Sequence, residues 1–189
     1  MQKLKFLKPA LSLLIITVGV ALLLAIVNHI TADKIEENAY TKKMQAIEKI
    51  YPDIDTYDDV STEYATDCVQ SIGSVKNADG EWLGYFVEVT PQGFKDVISM
   101  IVGVDKNGRV IDVVCLSASE TAGIGTKATS DSNLKKYAGL DSSSVGSVDT
   151  ITGATISSKA VRHGIEDACK SIENIVDAGT SIVNSTEVE

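Results

Sequence analysis

The chain has 189 residues, 44% of them apolar and 23% charged, which is enough for one ordinary domain with a short appendage and excludes a multidomain machine. Seventeen Lys and Arg stand against 26 Asp and Glu, a formal charge of -9. That balance leaves no large phosphate-neutralising surface, so nucleic acid is not expected as a partner.

Two histidines, His29 and His163, and three scattered cysteines, Cys68, Cys115 and Cys169, show no metal-ligand spacing. Neither a zinc site nor a cysteine-bound cluster is expected, and no metal is assigned. An odd number of distant cysteines makes no disulfide framework, although one bridge stays open if the domain faces an oxidising compartment. Cys115, in the run Val113-Val114-Cys115-Leu116, reads as a small core residue.

Residues 1–8 carry Lys3, Lys5 and Lys8 and no acid, and the 14 basic and 26 acidic residues beyond residue 30 leave -12 for the rest of the chain. Residues 9–30 read PALSLLIITVGVALLLAIVNHI. At about 1.5 Å per residue, about 20 apolar residues cross a hydrocarbon layer of about 30 Å. A cleaved signal peptide would have a shorter apolar region followed by small residues, which Ile30-Thr31-Ala32 does not supply, so the segment is expected to remain as a single transmembrane helix. The first cysteine is Cys68, so no lipid acceptor follows the span. The three lysines place the N-terminus in the cytoplasm and the acidic remainder outside the cell membrane.

Residues 31–65 are expected to form a juxtamembrane helix and linker, with Ile35, Ala39, Ile47 and Ile50 near one helical face and Pro52 ending it. Residues 66–179 form the domain proper. The runs CVQSIGSV, WLGYFVEV, VISMIVGV and RVIDVVCL, separated by Ala78-Asp79-Gly80, Pro91-Gln92-Gly93 and Lys106-Asn107-Gly108, predict consecutive hairpins in an antiparallel sheet. Asn107-Gly108 is the strongest turn, since both residues tolerate positive φ. Val87, Val89, Ile98, Ile101, Val102, Val104, Val110, Ile111, Val113 and Val114 are expected as core or sheet-face residues. The C-terminal run places Val161, Ile165, Ala168, Ile172, Ile175 and Val176 at helical spacing, with Gly179 as terminator. Residues 180–189 form a tail without an apolar face. The fold class is α+β: one N-terminal transmembrane helix, then a hairpin-rich antiparallel sheet packed by helices.

The chemistry concentrates in residues 149–158, DTITGATISS, at the start of that helix. Gly153 and Ala154 let the backbone turn and come close to another group, Thr155 offers a hydroxyl, and the helix start offers N–H groups and a positive dipole end suited to a phosphate. The same features also describe an ordinary helix cap. Upstream, Glu120-Thr121-Ala122-Gly123-Ile124-Gly125-Thr126-Lys127 is a glycine loop without the spacing of a nucleotide-binding fingerprint. His163 is expected as an exposed helical histidine without a placed partner, and Ser157, Ser158 and Lys159 do not make a Ser-x-x-Lys nucleophile.

Asp149, Thr152, Gly153, Ala154 and Thr155 resemble the flavinylation motif Asp-x-x-Thr/Ser-Gly-Ala-Thr. That motif occurs in the FMN-binding domains of the G subunit of the Rnf complex and the C subunit of the sodium-pumping NADH:quinone reductase. The loop from Glu120 resembles the family's Glu-Thr-Pro-Gly-Leu/Ile-Gly loop beside the flavin, with Ala122 in place of proline. The motifs, the span and the sheet occur in the family's order over nearly the whole chain, and the compact length resembles the Rnf G subunit more than the longer C subunit.

The resemblance implies an FMN-binding domain with FMN joined through its phosphate to the Thr155 hydroxyl by a separate flavin transferase. It also implies ring contacts from Glu120, Thr121, Ile124, Gly125 and Thr126, with Gly123 in the same cofactor-binding loop, and a turn-positioning or transferase-recognition role for Asp149; Lys127 either offsets negative charge on the phosphate or reduced flavin or is simply solvated. The chain would then be an electron-carrier subunit of a membrane-bound, ion-translocating ferredoxin:NAD oxidoreductase, with membrane lipid and the other Rnf subunits as partners and no complete catalytic site of its own. The C subunit of the quinone reductase, a stand-alone flavin carrier and a non-redox, membrane-tethered binding or scaffold domain stay open as alternatives.

Overall fold

The computed structural model describes residues 3–60, 62 and 65–177. The chain divides into two units, residues 1–42 and 43–189. The first is the larger part of helix α1 (Lys3–Ile50). Its Leu, Ile and Val side chains, among them Leu11, Leu14, Ile16, Leu22, Leu24 and Ile26, are exposed all round, and α1 is long and apolar enough to cross a membrane. No break separates the expected span from the expected juxtamembrane helix. Ile35 is exposed, so the apolar face expected from residue 35 onward begins only in the last two turns.

The second unit is a five-stranded antiparallel sheet in strict chain order: β1 (Thr56–Val60), β2 (Val69–Lys76), β3 (Trp82–Val89), β4 (Ile98–Val104) and β5 (Val110–Ala118). Side chains alternate across the pleat, so the continuous apolar runs mean that both faces are covered. One face presents Val75, Phe86 and Ile101, and against them pack Ala46, Ile47 and Ile50 from the end of α1, with Tyr51. Lys43 donates to Ser71 Oγ and Glu88 Oε2, both at 2.8 Å, and its ammonium lies 5.2 Å from the Phe86 ring centroid. The buried Tyr51 hydroxyl donates to the Tyr85 carbonyl at 2.7 Å. The helix stops at Ile50 because Pro52 denies its preceding residue the helical conformation.

The other face, Val87, Val89, Met100, Val102 and Val104, takes the amphipathic helix α3 (Thr155–Asp177) through Val161, Ile165, Ala168, Ile172 and Ile175, all fully buried. Each buried Val or Ile among them contributes about 1.5–3 kcal/mol relative to exposure. Val176, one position off the stripe, is half exposed, against expectation. Ile111 on the edge strand is also exposed, and Cys115 is only partly buried. All three cysteines are free thiols. Gly179 and the tail 180–189 lie outside the described residues.

Two hairpins share one turn chemistry. Asp105 Oδ1 accepts from the N–H groups of Asn107 (2.7 Å) and Arg109 (2.9 Å), and Asn77 Oδ1 does the same for Asp79 and Glu81. In each turn a single glycine, Gly108 or Gly80, has positive φ. Asn107 therefore does not take the left-handed role expected of it, because the Asp105 side chain already holds the turn. The segment expected as linker contains β1, whose alternation in TYDDV is too acidic to read as a strand. It is held by pairing with β2 along Thr56↔Lys76 to Val60↔Ile72.

Between β5 and α3 the chain runs through a 3-10 turn (Gly125–Lys127), the short helix α2 (Asp131–Leu134) and two further 3-10 turns. Tyr137, Leu134 and Val145 anchor this stretch in the core. It returns residues 149–155 to the strand end from which the Glu120 loop leaves.

Candidate functional site

Three segments meet around a cavity of about 500 Å³ lined by Phe94, Glu120, Thr121, Ile124, Gly125, Gly153, Ala154, Thr155, Ile156 and Ser157. The volume lies within the range of about 300–1,000 Å³ usual for small-molecule and cofactor sites.

The first segment is the β3–β4 loop. Pro91 accepts from the Ile98 N–H (3.0 Å), and the Gly93 N–H donates to Asp96 (2.9 Å), so the loop folds tightly and lifts Phe94, 65% exposed, at its tip. The second is the Glu120 loop. Thr121 O accepts from the N–H groups of Ile124 (3.2 Å) and Thr126 (3.3 Å), while Thr126 Oγ1 accepts from Gly123 N–H at 3.0 Å. The third is the approach to α3, where Ala154 N–H donates to Ile151 O (2.9 Å) and Ser158 Oγ accepts from Ile151 N–H (3.2 Å). Gly123 (φ 76°) and Gly153 (φ 84°) hold the left-handed conformation at the two bends, which costs a side-chain-bearing residue about 1–2 kcal/mol.

Thr155 begins α3. It is exposed and lines the cavity, in the turn whose N–H groups have no carbonyl four residues behind them within the helix and carry the positive end of its dipole. Phe94, Ile124 and Ile156 are large, apolar and at least half exposed, and all three line the cavity. Exposed apolar side chains gathered around a cavity are a mark of ligand-binding grooves.

Glu120 is 7% exposed and joins the three segments. Its Oε2 accepts from Ser157 Oγ at 2.5 Å and its Oε1 from Lys95 N–H at 3.2 Å, and the backbone N–H groups of Phe94 and Asp96 also reach it. Burial pushes its pKa up, but these donors together outweigh burial and hold the carboxyl below its ordinary value. Gly93 and Gly125 press so close that a Cβ on either would fall within 2.3 Å or 2.7 Å of a carboxylate oxygen.

Of the residues singled out from the sequence, Glu120, Thr121, Ile124, Gly125, Gly153, Ala154 and Thr155 line the cavity. Gly123 and Thr126 shape the second loop behind it. Thr152, Asp149 and Lys127 are exposed and outside the lining. Phe94, Ile156 and Ser157 join the lining without having been singled out for it. An aromatic residue just after Pro91-Gln92-Gly93 is the signal for the first, and Ser157 follows Thr155 at the spacing that points inward. His163 lines a neighbouring, more open groove with Lys159 and Arg162. It has a partner after all: its Nε2 is 3.6 Å from Oδ2 of the buried Asp167. That carboxylate also accepts from Cys68 Sγ at 3.0 Å, and burial first, then Asp167, pushes the Cys68 thiol up to about 12.

Comparison with known proteins agrees with this geometry. Residues 93–170 match the model of the FMN-binding domain, and residues 1–50 match that of the RnfG N-terminal region. The G subunit of the Na(+)-translocating ferredoxin:NAD(+) oxidoreductase complex of Acetobacterium woodii is 25% identical over 190 residues, covering 89% of this chain and 92% of the relative. The G subunit of the proton-translocating ferredoxin:NAD(+) oxidoreductase complex of Clostridium ljungdahlii is 34% identical over 99 residues, 48% of this chain and 54% of the relative. The G subunit of the ion-translocating oxidoreductase complex of Shewanella piezotolerans is 29% identical over 167 residues, 76% and 78%. With its apolar N-terminal helix and its FMN-binding domain, the chain belongs to the RnfG family of membrane-anchored subunits.

Proposed function

We propose that the chain is the electron-carrier G subunit of an ion-translocating ferredoxin:NAD oxidoreductase complex, with FMN joined covalently through its phosphate to Thr155 Oγ. The observation that carries this reading is the position of Thr155, in the first turn of α3 and in the lining of a cavity whose rim is apolar.

The residues fit the group. The first-turn N–H groups and the helix dipole suit a phosphate on Thr155. Phe94, Ile124 and Ile156 offer apolar surface to a flat ring, and Glu120 holds their loops together. When bound, the isoalloxazine supplies the electron chemistry, and the protein supplies retention, orientation and local charge. A phosphoester suits a carrier outside the cytoplasm, where a dissociated flavin would be lost by dilution. In this reading residues 1–8 lie in the cytoplasm, residues 9–30 cross the lipid bilayer, and the domain faces the far side. Asp149 marks the turn for a flavin transferase, Lys127 stays solvated, and the other Rnf subunits exchange electrons with the ring.

The test is intact mass of the full chain made with and without a flavin transferase. An increase of about 438 Da, one dehydrated FMN, is expected, and it is absent in Thr155→Ala. An unchanged mass in the unmodified sequence, or an increase that survives Thr155→Ala, refutes the attachment.

A further inference from the structure

We infer that the Glu120 carboxylate acts as a fixed negative charge that holds the reduction potential of the ring low, in addition to bracing the loops. The inference rests on the flavin reading above.

Glu120 lines the cavity yet is shielded from bulk water. Every hydrogen bond it makes comes from a neutral donor: Ser157 Oγ and the backbone N–H groups of Phe94, Lys95 and Asp96. It has no ion-pair partner among the described residues. The charged side chains on the elements packed around it, Lys95 and Asp96 on the β3–β4 loop, Lys127 after the glycine loop and Lys159 on α3, are all exposed. Neutral dipoles stabilise the ionised form without cancelling its net charge, so a group filling the cavity faces an uncompensated anion at low effective dielectric. A carboxylate needed only as a brace could have been a glutamine. Here one oxygen takes a hydroxyl and the other takes backbone N–H groups, a set of donors that favours the ionised form.

The consequence follows from charge balance. Taking up two electrons and two protons leaves the charge of the ring unchanged, whereas two electrons and one proton leave it one unit more negative. A nearby anion opposes only the second process. Glu120 therefore lowers the potential most where the reduced ring holds a single added proton, and least in acid, where the second proton arrives.

The experiment is a spectroelectrochemical titration of the full-length, flavin-bearing protein in detergent, wild type against Glu120→Gln and Ser157→Ala. Glu120→Gln is expected to move the midpoint to more positive potential in mildly alkaline buffer, by a difference that shrinks as the buffer is made acidic. Ser157→Ala removes a dipole that partly screens the carboxylate and keeps the charge, so its midpoint falls. Equal potentials for wild type and Glu120→Gln, a difference that does not change with pH, or a positive shift in Ser157→Ala each overturn the inference. If Glu120→Gln does not fold, Ser157→Ala decides: a lower midpoint in mildly alkaline buffer supports the inference, and an unchanged or higher one overturns it. Wild-type protein without a flavin would overturn the flavin reading as well, whereas coloured proteins of equal potential would leave that reading standing.

Discussion

Replacing Gly153 by alanine isolates the backbone at the bend before Thr155. A Cβ built there meets only Ile124 Cγ2 at 3.9 Å, ordinary contact distance, so steric overlap contributes almost nothing and the cost is that of φ 84°. An L-residue pays about 1–2 kcal/mol in the left-handed region, offset by about 0.4–1 kcal/mol from the stiffer unfolded chain. The net is about 0.5–1.5 kcal/mol, or a few degrees in Tm for a domain of this size. Asparagine tolerates the left-handed region better, so Gly153→Asn should recover part of the loss. Thermal unfolding of the full chain in detergent checks the stability, and intact mass of the same preparations checks whether Thr155 still takes its modification. A relaxed bend would displace Thr155, so the modified fraction should fall in the order glycine, asparagine, alanine. An alanine variant with unchanged Tm and full modification, or asparagine no better than alanine, would refute the argument.

Phe94→Ala should leave Tm nearly unchanged, because the side chain is mostly exposed, yet change flavin fluorescence by removing an apolar wall of the cavity and admitting water to the ring. Unchanged fluorescence would place the ring away from the β3–β4 loop. Acid should destabilise the domain through Glu120 and Asp141, both held below their ordinary values. Their contribution is complete above the unfolded value, near 4.5 for Glu120, and is lost as pH falls through the folded value, about 2 for Asp141. Glu120→Gln should flatten the upper part of that acid limb in a pH series of Tm, whereas an identical profile in both proteins would contradict it.

The strands β2 to β5 and the amphipathic face of α3 were legible because their apolar runs and turn residues agree with one another. β1 was not, since TYDDV carries two aspartates and owes its conformation to the neighbouring strand. Val176 sits beside Ile175 in sequence but about 100° around the helix, a distinction that hydrophobicity alone does not make. In the site, Thr155 and Gly153 were visible as a motif, whereas Phe94 comes from a segment about 60 residues away. Its place beside them follows from the pairing of β3 with β4 and from the Glu120 hydrogen bonds. Nor did the sequence reveal Glu120 as a tie between loops; its hydrogen bonds from Ser157 and Lys95 show that.

The strand order β1-β2-β3-β4-β5 has a consequence for synthesis. Each strand pairs with the one made just before it, so the sheet can grow as the polypeptide emerges, with little loop entropy to overcome. α3 arrives last, and with it the hydroxyl and the first-turn amides. Under the proposed reading, a transferase that needs the start of α3 beside the Glu120 loop would meet its target only on a chain whose sheet is already complete, and unfinished chains would pass it unmarked.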